Sequence, residues 1–403
     1  MSVSRKTQRG WYGIDAMQRW RADQQARNRG AELDVVLMTH PRDENDLVRL
    51  FPWAQSMSLD ERRVIAQHLR PVFGEVISAD NLNVGLLFMP LFAHEIMNPR
   101  TRRQCRDVLK YEGMQAIRTS GAKVVCLGGL LGGLSGYGRH LDHQAEEMGV
   151  TVTTGHSLTA ISVLQTYLRA VRELNMAPAE RELAVLGVGS VGWGFARLLS
   201  HEKEVPRKVT LIDTPRRARH LEQHAEELRA RGRFEVATET TSREGVLADD
   251  SASYRSSFLI SAVSMPNVVD IHKVAAGTVL VDDSQPYCWS RDEAWQRCRD
   301  QLDIVPCEAG LIDVDTLGYR SHFPFDFADH DRMGGSRTAW CCLTEGLLRA
   351  LHPHLPPTRG EPTEDTLHVY SEAFRECGLK PAELQCGPHP LPVDALRQRI
   401  GDS

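Results

Sequence analysis

The sequence predicts an α/β protein. An N-terminal α/β substrate-binding domain is followed by a Rossmann-type doubly wound parallel-sheet domain and C-terminal helices. Three observations predict this. Between residues 182 and 315 short apolar runs alternate with helical stretches, the rhythm of a parallel sheet covered on both faces. One of these runs, Leu183–Leu186, feeds a glycine-rich turn that opens a helix. The chain has 403 residues, which at roughly 150 residues per domain allows two or three domains.

Residues 1–33 are polar, with seven Arg/Lys against three Asp/Glu, and read as an appended N-terminal arm. In the α/β unit 34–155, strands are expected at Asp34–Thr39, Val84–Phe88, Lys123–Leu127 and Val150–Thr154. Helices are expected at Leu59–Leu69, Arg100–Ser120 and Arg139–Met148, the second with Val108, Leu109, Met114 and Ile117 inward. A long helix Ser157–Leu174, N-capped by Ser157, leads into the next domain, 156–315. There the expected strands are Glu182–Val188, Lys208–Asp213, Phe234–Thr238, Phe258–Val263, Thr278–Asp282 and Asp303–Cys307, with helices over Val191–Glu204 and Pro215–Arg231. The remainder, 316–403, begins as a loop and continues with helices at Arg337–Leu351, Asp365–Cys377 and Val393–Ile400.

Composition excludes several classes. With 41% hydrophobic and 25% charged residues, the chain is neither a disordered polymer nor a disulfide scaffold. A net charge of −5 gives no global drive toward nucleic acid or an anionic membrane. The longest apolar run, Val84 to Phe92, is far short of the roughly 20 residues that span a bilayer. The nine cysteines have no CxxC or zinc-finger spacing, and the start lacks an apolar signal core, so a cytoplasmic protein with free thiols is expected.

The turn Gly187-Val188-Gly189-Ser190-Val191-Gly192 satisfies G-x-G-x-x-G in the required strand–turn–helix setting. The first glycine permits the tight turn, the second lets backbone approach a pyrophosphate, and the third lets helix and strand pack closely. The helix N-terminus then offers unpaired N–H groups to phosphate. Asp213 ends the next strand 21 residues after Gly192, where a carboxylate would bind a ribose 2′-hydroxyl and favour NADH. Arg216 and Arg217 follow at once and would suit a 2′-phosphate, so the residues alone leave NADH and NADPH both open.

Cys342 is the candidate nucleophile. Gly334-Gly335-Ser336 breaks the chain shortly before a helix begins, and a thiol near a helix N-terminus has its thiolate favoured. Such a thiolate can hold an acyl group as a covalent thioester. Residue type alone does not choose between Cys341 and Cys342, nor exclude that both fill a buried helix face.

In this order the motifs resemble the long-chain fatty acyl-[acyl-carrier-protein] reductases, over about residues 34–352. The resemblance is carried by Val36-Leu-Met38-Thr-His-Pro41, Phe88-Met-Pro90, Leu127-Gly128-Gly129, Thr153-Thr154-Gly155 with Thr159-Ala160, the glycine turn, Thr214 with Arg216, Ser264-Met265-Pro266, and Cys342-Leu-Thr-Glu345. It implies that Cys342 accepts the acyl group, and that Ser264, Met265 and Pro266 lie near the nicotinamide or ribose. It also implies that Thr214 and Arg216 contact NADPH, and that the product is an aldehyde. An acyl or aminoacyl carrier protein would deliver the thioester, with CoA as the alternative donor, and an aldehyde-consuming enzyme would follow. The acyl group would enter the first domain between Met38, Val84–Phe92 and the Gly128–Gly133 loop, with His156 nearby. Arg100, Arg102, Arg103, Arg106 and Lys110 form one candidate docking patch for an acidic carrier, and the arm a second.

The chain departs from the family pattern in three places. The family's His ahead of the Thr-Ala is Leu158 here, with His156 two positions earlier. Asp213 is acidic where the family is usually not, and Asp282-Asp283-Ser284-Gln285-Pro286 replaces Asp-Gly-Gly-Tyr-Pro. The acyl chain therefore stays open. Two other functions also stand: a dehydrogenase of the shikimate or glutamyl-tRNA reductase type working by direct hydride transfer, and a dinucleotide-binding sensor without turnover. Lys123 and Asp142 do not identify the former, and Cys105 and Cys126 sit on expected buried elements.

Overall fold

The computed structural model describes residues 32–323, 325–330 and 334–400, so nearly all of the N-terminal arm lies outside the described residues. The chain forms two compact units. The first comprises 32–155, 317–323 and 345–360. The second comprises 156–316, 325–330, 334–344 and 361–400.

The first unit is built on a five-stranded sheet: β1 (Val35–Thr39), β2 (Val72–Ala79), β3 (Leu82–Phe88), β4 (Val124–Leu127) and β5 (Thr151–Thr153), in the order β2-β3-β1-β4-β5. β1 is central and parallel to β3 and β4, with Val35 opposite both Val84 and Val124. It is buried on both faces, which is why it reads as a continuous apolar run. Only β2 is antiparallel, and it was not expected. A two-residue turn joins it to β3, with Asp80 and Asn81 both at positive φ, the geometry of a primed hairpin turn.

Helix α1 (Leu59–His68) starts at a capping box between Ser58 and Glu61. The expected helix Arg100–Ser120 is α2 (Arg102–Asp107), a π-helical turn (Val108–Gly113) and α3 (Met114–Ser120). Leu109, Met114 and Ile117 enter the core as expected, with Val108 packed at its margin. Arg102 donates to the carbonyls of Ile96 and Gly133, and Arg106 to that of Leu134, so two cations of the candidate docking patch are engaged in holding loops. Helix α4 (Asp142–Met148) then leads to β5.

The second unit carries six parallel strands: β6 (Glu182–Leu186), β7 (Lys208–Asp213), β8 (Glu235–Thr240), β9 (Phe258–Ser261), β10 (Thr278–Asp282) and β11 (Ile304–Glu308). Their order is β11-β10-β9-β6-β7-β8, the doubly wound arrangement expected, and the strand order reverses between β6 and β9. Ligands of such sheets bind outside the carboxyl ends of the strands at that reversal.

Helices α5 (His156–Glu173), α6 (Ser190–Leu199), α7 (Ala218–Arg231) and α8 (Arg291–Gln301) belong to this unit. Tyr167 of α5 meets Phe195 and Phe258 edge-on at 6.0 and 5.1 Å within the core. Ser157 is not the N-cap that was expected. Gly155, at φ +73°, turns the chain so that α5 already begins at His156, and Ser157 Oγ instead donates to Thr366 Oγ1.

A second correction concerns Arg337–Leu351. Thr338–Trp340 is a strand, and helix α9 begins only at Cys341 and runs to Leu351. This strand pairs with Leu311–Asp313, which pairs in turn with Lys380–Pro381. The C-terminal segment therefore forms no unit of its own. Its helices α10 (Glu364–Glu376) and α11 (Val393–Ile400) belong to the second unit, and 345–360 to the first.

Candidate active site

The glycine turn of the second unit separates three roles by geometry. Gly187 sits at φ +89°, and a Cβ there would lie 2.5 Å from the Ala262 carbonyl oxygen. A Cβ on Gly192 would lie 2.1 Å from the Gly187 carbonyl oxygen. Both glycines are demanded by packing. Gly189, the N-cap of α6, differs: a Cβ there would meet only Arg217 Nη1, at 3.8 Å. The open space beside Gly189, at the mouth of a ten-residue helix, fits a pyrophosphate. Val191 packs against the core, and Ser190 is buried at the start of α6. His156 Nδ1 lies 2.8 Å from Ser190 Oγ. The structure thus puts His156 on the glycine turn rather than in the first unit, where the acyl group was expected. Burial holds its imidazole down to about 4, so it is neutral at pH 7.

The end of β7 carries the residues expected at the adenosine ribose. The Asp213 carboxylate accepts the Val188 and Thr214 N–H groups at 3.1 and 2.7 Å and lies 3.5 Å from Arg217 Nε. Arg217 also reaches the Val188 carbonyl and Glu361. Both side chains are therefore committed to the turn itself. Arg216 is exposed and has no ion pair among the described residues, so its guanidinium is available to an anion beside Thr214.

On the other side of the reversal, Ser264, Met265 and Pro266 follow β9. Met265 is exposed and lies against Gly245, where a Cβ would come within 3.0 Å of its Cε. The end of β10 carries two acids that behave differently. Asp282 accepts Ser261 Oγ at 2.6 Å and the N–H groups of Ser284 and Cys288 at 3.0 Å, while burial raises its pKa. Asp283 has no side-chain hydrogen bond or ion pair among the described residues. Burial, and secondarily the charge of Asp282, hold its carboxyl well above the usual carboxylate range.

Gly310, at φ +72° just after β11, connects this acid to the cysteine helix. A Cβ on Gly310 would lie 2.1 Å from Asp283 Oδ1, and the Gly310 carbonyl accepts the Cys341 N–H at 2.9 Å. Upstream, Asp329 accepts Ser336 Oγ and the N–H groups of Arg337 and Thr338, and Trp340 packs edge-on against Phe325 and Phe327. The start of α9 is thus anchored from both sides. Cys341 is buried, whereas Cys342, in the first helical turn, is partly exposed. Cys377 is the other partly exposed thiol, and the remaining seven cysteines, including Cys105 and Cys126, are buried.

In the first unit, Met38 is fully buried, and its Cε lies 3.1 Å from where a Gly113 Cβ would be. All of Val84–Phe92 is buried too. A central strand covered on both faces has no side chain to spare, so the packing closes the acyl entry expected beside Met38. Gly128 donates its N–H to the Met38 carbonyl. Gly129, at φ +56°, lies against His40, whose Nε2 accepts the Leu130 N–H at 2.9 Å. That bond leaves the proton on Nδ1, which donates to the Pro41 carbonyl. The Glu345 side chain is fully buried and accepts a hydrogen bond from Thr153 Oγ1, which itself accepts the Thr358 N–H at 3.0 Å.

Asp283 and Gly310 went unassigned in the sequence. An acid directly following an apolar strand, and a glycine two residues after the next strand, are the available signals, but nothing local shows that the two meet.

No protein-family model matches the chain. It is 26% identical over 227 residues to the aminotransferase PigE of Serratia sp. (strain ATCC 39006). That match covers 56% of this chain and 24% of that protein, so the chain spans about a quarter of the curated relative's length. Among solved structures, L-tryptophan dehydrogenase from Nostoc punctiforme is similar over 93% of this chain and 90% of its own, at 12% identity and a TM-score of 0.37. A putative malic enzyme (malate oxidoreductase) is similar over 100% of this chain and 93% of its own, at 13% identity and a TM-score of 0.37. Shikimate 5-dehydrogenase from Listeria monocytogenes is similar over 63% and 78%, at 10% identity and a TM-score of 0.28.

Proposed function

We propose that the chain is an NAD(P)H-dependent oxidoreductase that takes an acyl group from a thioester onto Cys342 and releases it as an aldehyde. The observation that carries this reading is the start of α9. It presents a partly exposed thiol in the first helical turn and is tied through the Cys341–Gly310 hydrogen bond to the carboxyl edge of the doubly wound sheet. The positive end of the helix favours the Cys342 thiolate. Its Sγ attacks the thioester carbonyl, and the carrier thiol leaves.

The glycine turn fits a dinucleotide: Gly189 is open toward a pyrophosphate while Gly187 and Gly192 are closed by packing. When bound, the reduced dinucleotide supplies the hydride that brings the Cys342-held acyl group to the aldehyde level. Gly189 and the first turn of α6 would hold its phosphates, and Ser190, held by His156, shapes that turn. Arg216 supports NADPH over NADH, because Asp213 is already engaged by Val188, Thr214 and Arg217.

The donor is an acyl or aminoacyl group on a carrier protein, or on CoA. The partial match to a protein named as an aminotransferase fits an aldehyde product, since transamination consumes a carbonyl compound.

Intact-mass spectrometry tests the reading. The protein is mixed with short, long and aminoacyl thioesters, first without and then with NADPH. An acyl adduct on Cys342 that NADPH discharges as aldehyde is expected. Absence of any cysteine adduct across the panel, with NADPH still bound, would overturn it in favour of direct hydride transfer.

A further inference from the structure

The reduction of a thioester to an aldehyde consumes one proton, and the thiol that leaves is the group that needs it. An alkyl thiol is a weak acid, with a pKa near that of free cysteine, about 8.5, or above, so it departs poorly as thiolate. A second group beside Cys342, holding a proton at neutral pH, would answer this need.

Asp283 is linked to the start of the Cys342 helix through one residue, Gly310. It follows β10 at the carboxyl edge of the sheet, where ligands of this architecture bind. Its Oδ1 rests against Gly310, the same residue whose carbonyl fixes Cys341 and so the start of the helix bearing Cys342. Any side chain at 310 would push the carboxyl away. Most of the polar groups nearby are satisfied by one another: Ser261, Ser284 and the Cys288 N–H by Asp282, and the Val263 N–H by Ser284. Asp283 alone of the two acids has no hydrogen bond for its carboxyl among the described residues. The residue is half-buried, so this carboxyl can reach a ligand at the sheet edge.

We infer that Asp283 is a catalytic acid that protonates the departing thiol as Cys342 takes the acyl group, an inference that rests on the Cys342 reading above. The bond from Cys342 Sγ to the acyl carbon forms, and the bond from that carbon to the carrier sulfur breaks. The electron pair leaves on the carrier sulfur, which receives the Asp283 proton. The carboxylate left behind regains a proton from solvent, because burial and Asp282 both disfavour its charge. Thr159, beside Gly310, carries no charge; Asp282 raises the acid, and the Cys342 thiolate of the proposal would act in the same sense.

The test follows Cys342 acylation by intact mass in the full chain without dinucleotide, using one acyl group on two donors. One donor releases a pantetheine-type alkyl thiol. The other releases thiophenol, which departs as thiolate without help. Asp283→Asn keeps the shape of the protonated acid but has no transferable proton. With the alkyl donor it should acylate at least about 100-fold more slowly than wild type. With the thiophenyl donor it should match wild type, which also shows that the variant folds. The wild-type rate with the alkyl donor should fall as rising pH ionises Asp283, and that fall should vanish in the variant. Equal rates on both donors, or equal losses on both, would overturn the assignment. If wild-type protein acylates with neither donor, the Cys342 reading itself fails and takes this inference with it.

Discussion

His156 and Ser190 open two successive helices of the second unit, and their side chains meet at 2.8 Å, so one imidazole braces the first turn of the dinucleotide helix. Burial lowers the imidazole from the ordinary 6.5 to about 4. The unfolded chain therefore binds a proton more readily than the folded one. The contribution of His156 to stability is complete above about pH 6.5 and is lost as pH falls toward 4. Melting temperature followed across that range should drop more steeply for wild type than for His156→Gln. Parallel curves would show that His156 is not the group being titrated.

The three glycines of the turn should separate folding from binding. Gly187→Ala and Gly192→Ala force a Cβ against backbone oxygens and should destabilise the protein by about 1–3 kcal/mol or more. Gly189→Ala has room, so its melting temperature should stay near wild type. Its methyl group nevertheless occupies the pyrophosphate side, and dinucleotide affinity measured by fluorescence titration should fall about tenfold or more. Normal binding by a folded Gly189→Ala protein would mean that the phosphates do not sit there.

Arg216 should set the choice of cofactor. A hydrogen bond to a charged group contributes about 1.5–3 kcal/mol, so Arg216→Ala should weaken NADPH by about 10- to 100-fold. NADH affinity should not change. Equal weakening of both would assign Arg216 to the shared part of the dinucleotide instead.

Gly346 and Cys126 should behave as one packing unit. A Cβ on Gly346 would fall 2.0 Å from Cys126 Sγ, so Gly346→Ala alone should cost about 1–3 kcal/mol in urea unfolding. Adding Cys126→Ala removes the sulfur from the collision and should restore much of the loss. Simple additivity of the two changes would show that the backbone had moved instead.

The inner strands of the second unit's sheet are legible because they are buried on both faces, unlike the edge strand β8. Leu183–Leu186, Phe258–Ile260 and Val279–Val281 are uninterrupted apolar runs, a local property of the sequence. The glycine turn was legible for the same reason, since its three roles depend on spacing alone. The β2 hairpin was not. Its turn is Asp80-Asn81, without the glycine that usually announces a primed turn, and β2 alternates weakly because a run of four of its eight residues is half-buried. Nothing in Arg337-Thr-Ala-Trp340 breaks a helix, so the local pattern favours one over Thr338–Trp340. It is a strand because Leu311–Asp313, far back along the chain, offers it an edge. The fate of Met38 and the solitary state of Asp283 likewise depend on partners brought from elsewhere, which no local pattern encodes.

The interleaving of the two units has a consequence for how the molecule is made. Thr153 and Thr154 leave the ribosome 192 to 205 residues ahead of the groups that complete their hydrogen bonds, Glu345 and Thr358. At about 5–20 residues per second, the roughly 205 residues from 155 to 360 take about 10–40 s to translate. The unit whose synthesis begins first is therefore finished late, after the whole parallel sheet of the other has emerged. A fragment ending at 155 would never receive its closing pieces, and the remainder would hold the whole second unit while carrying 317–323 and 345–360 without the sheet they complete.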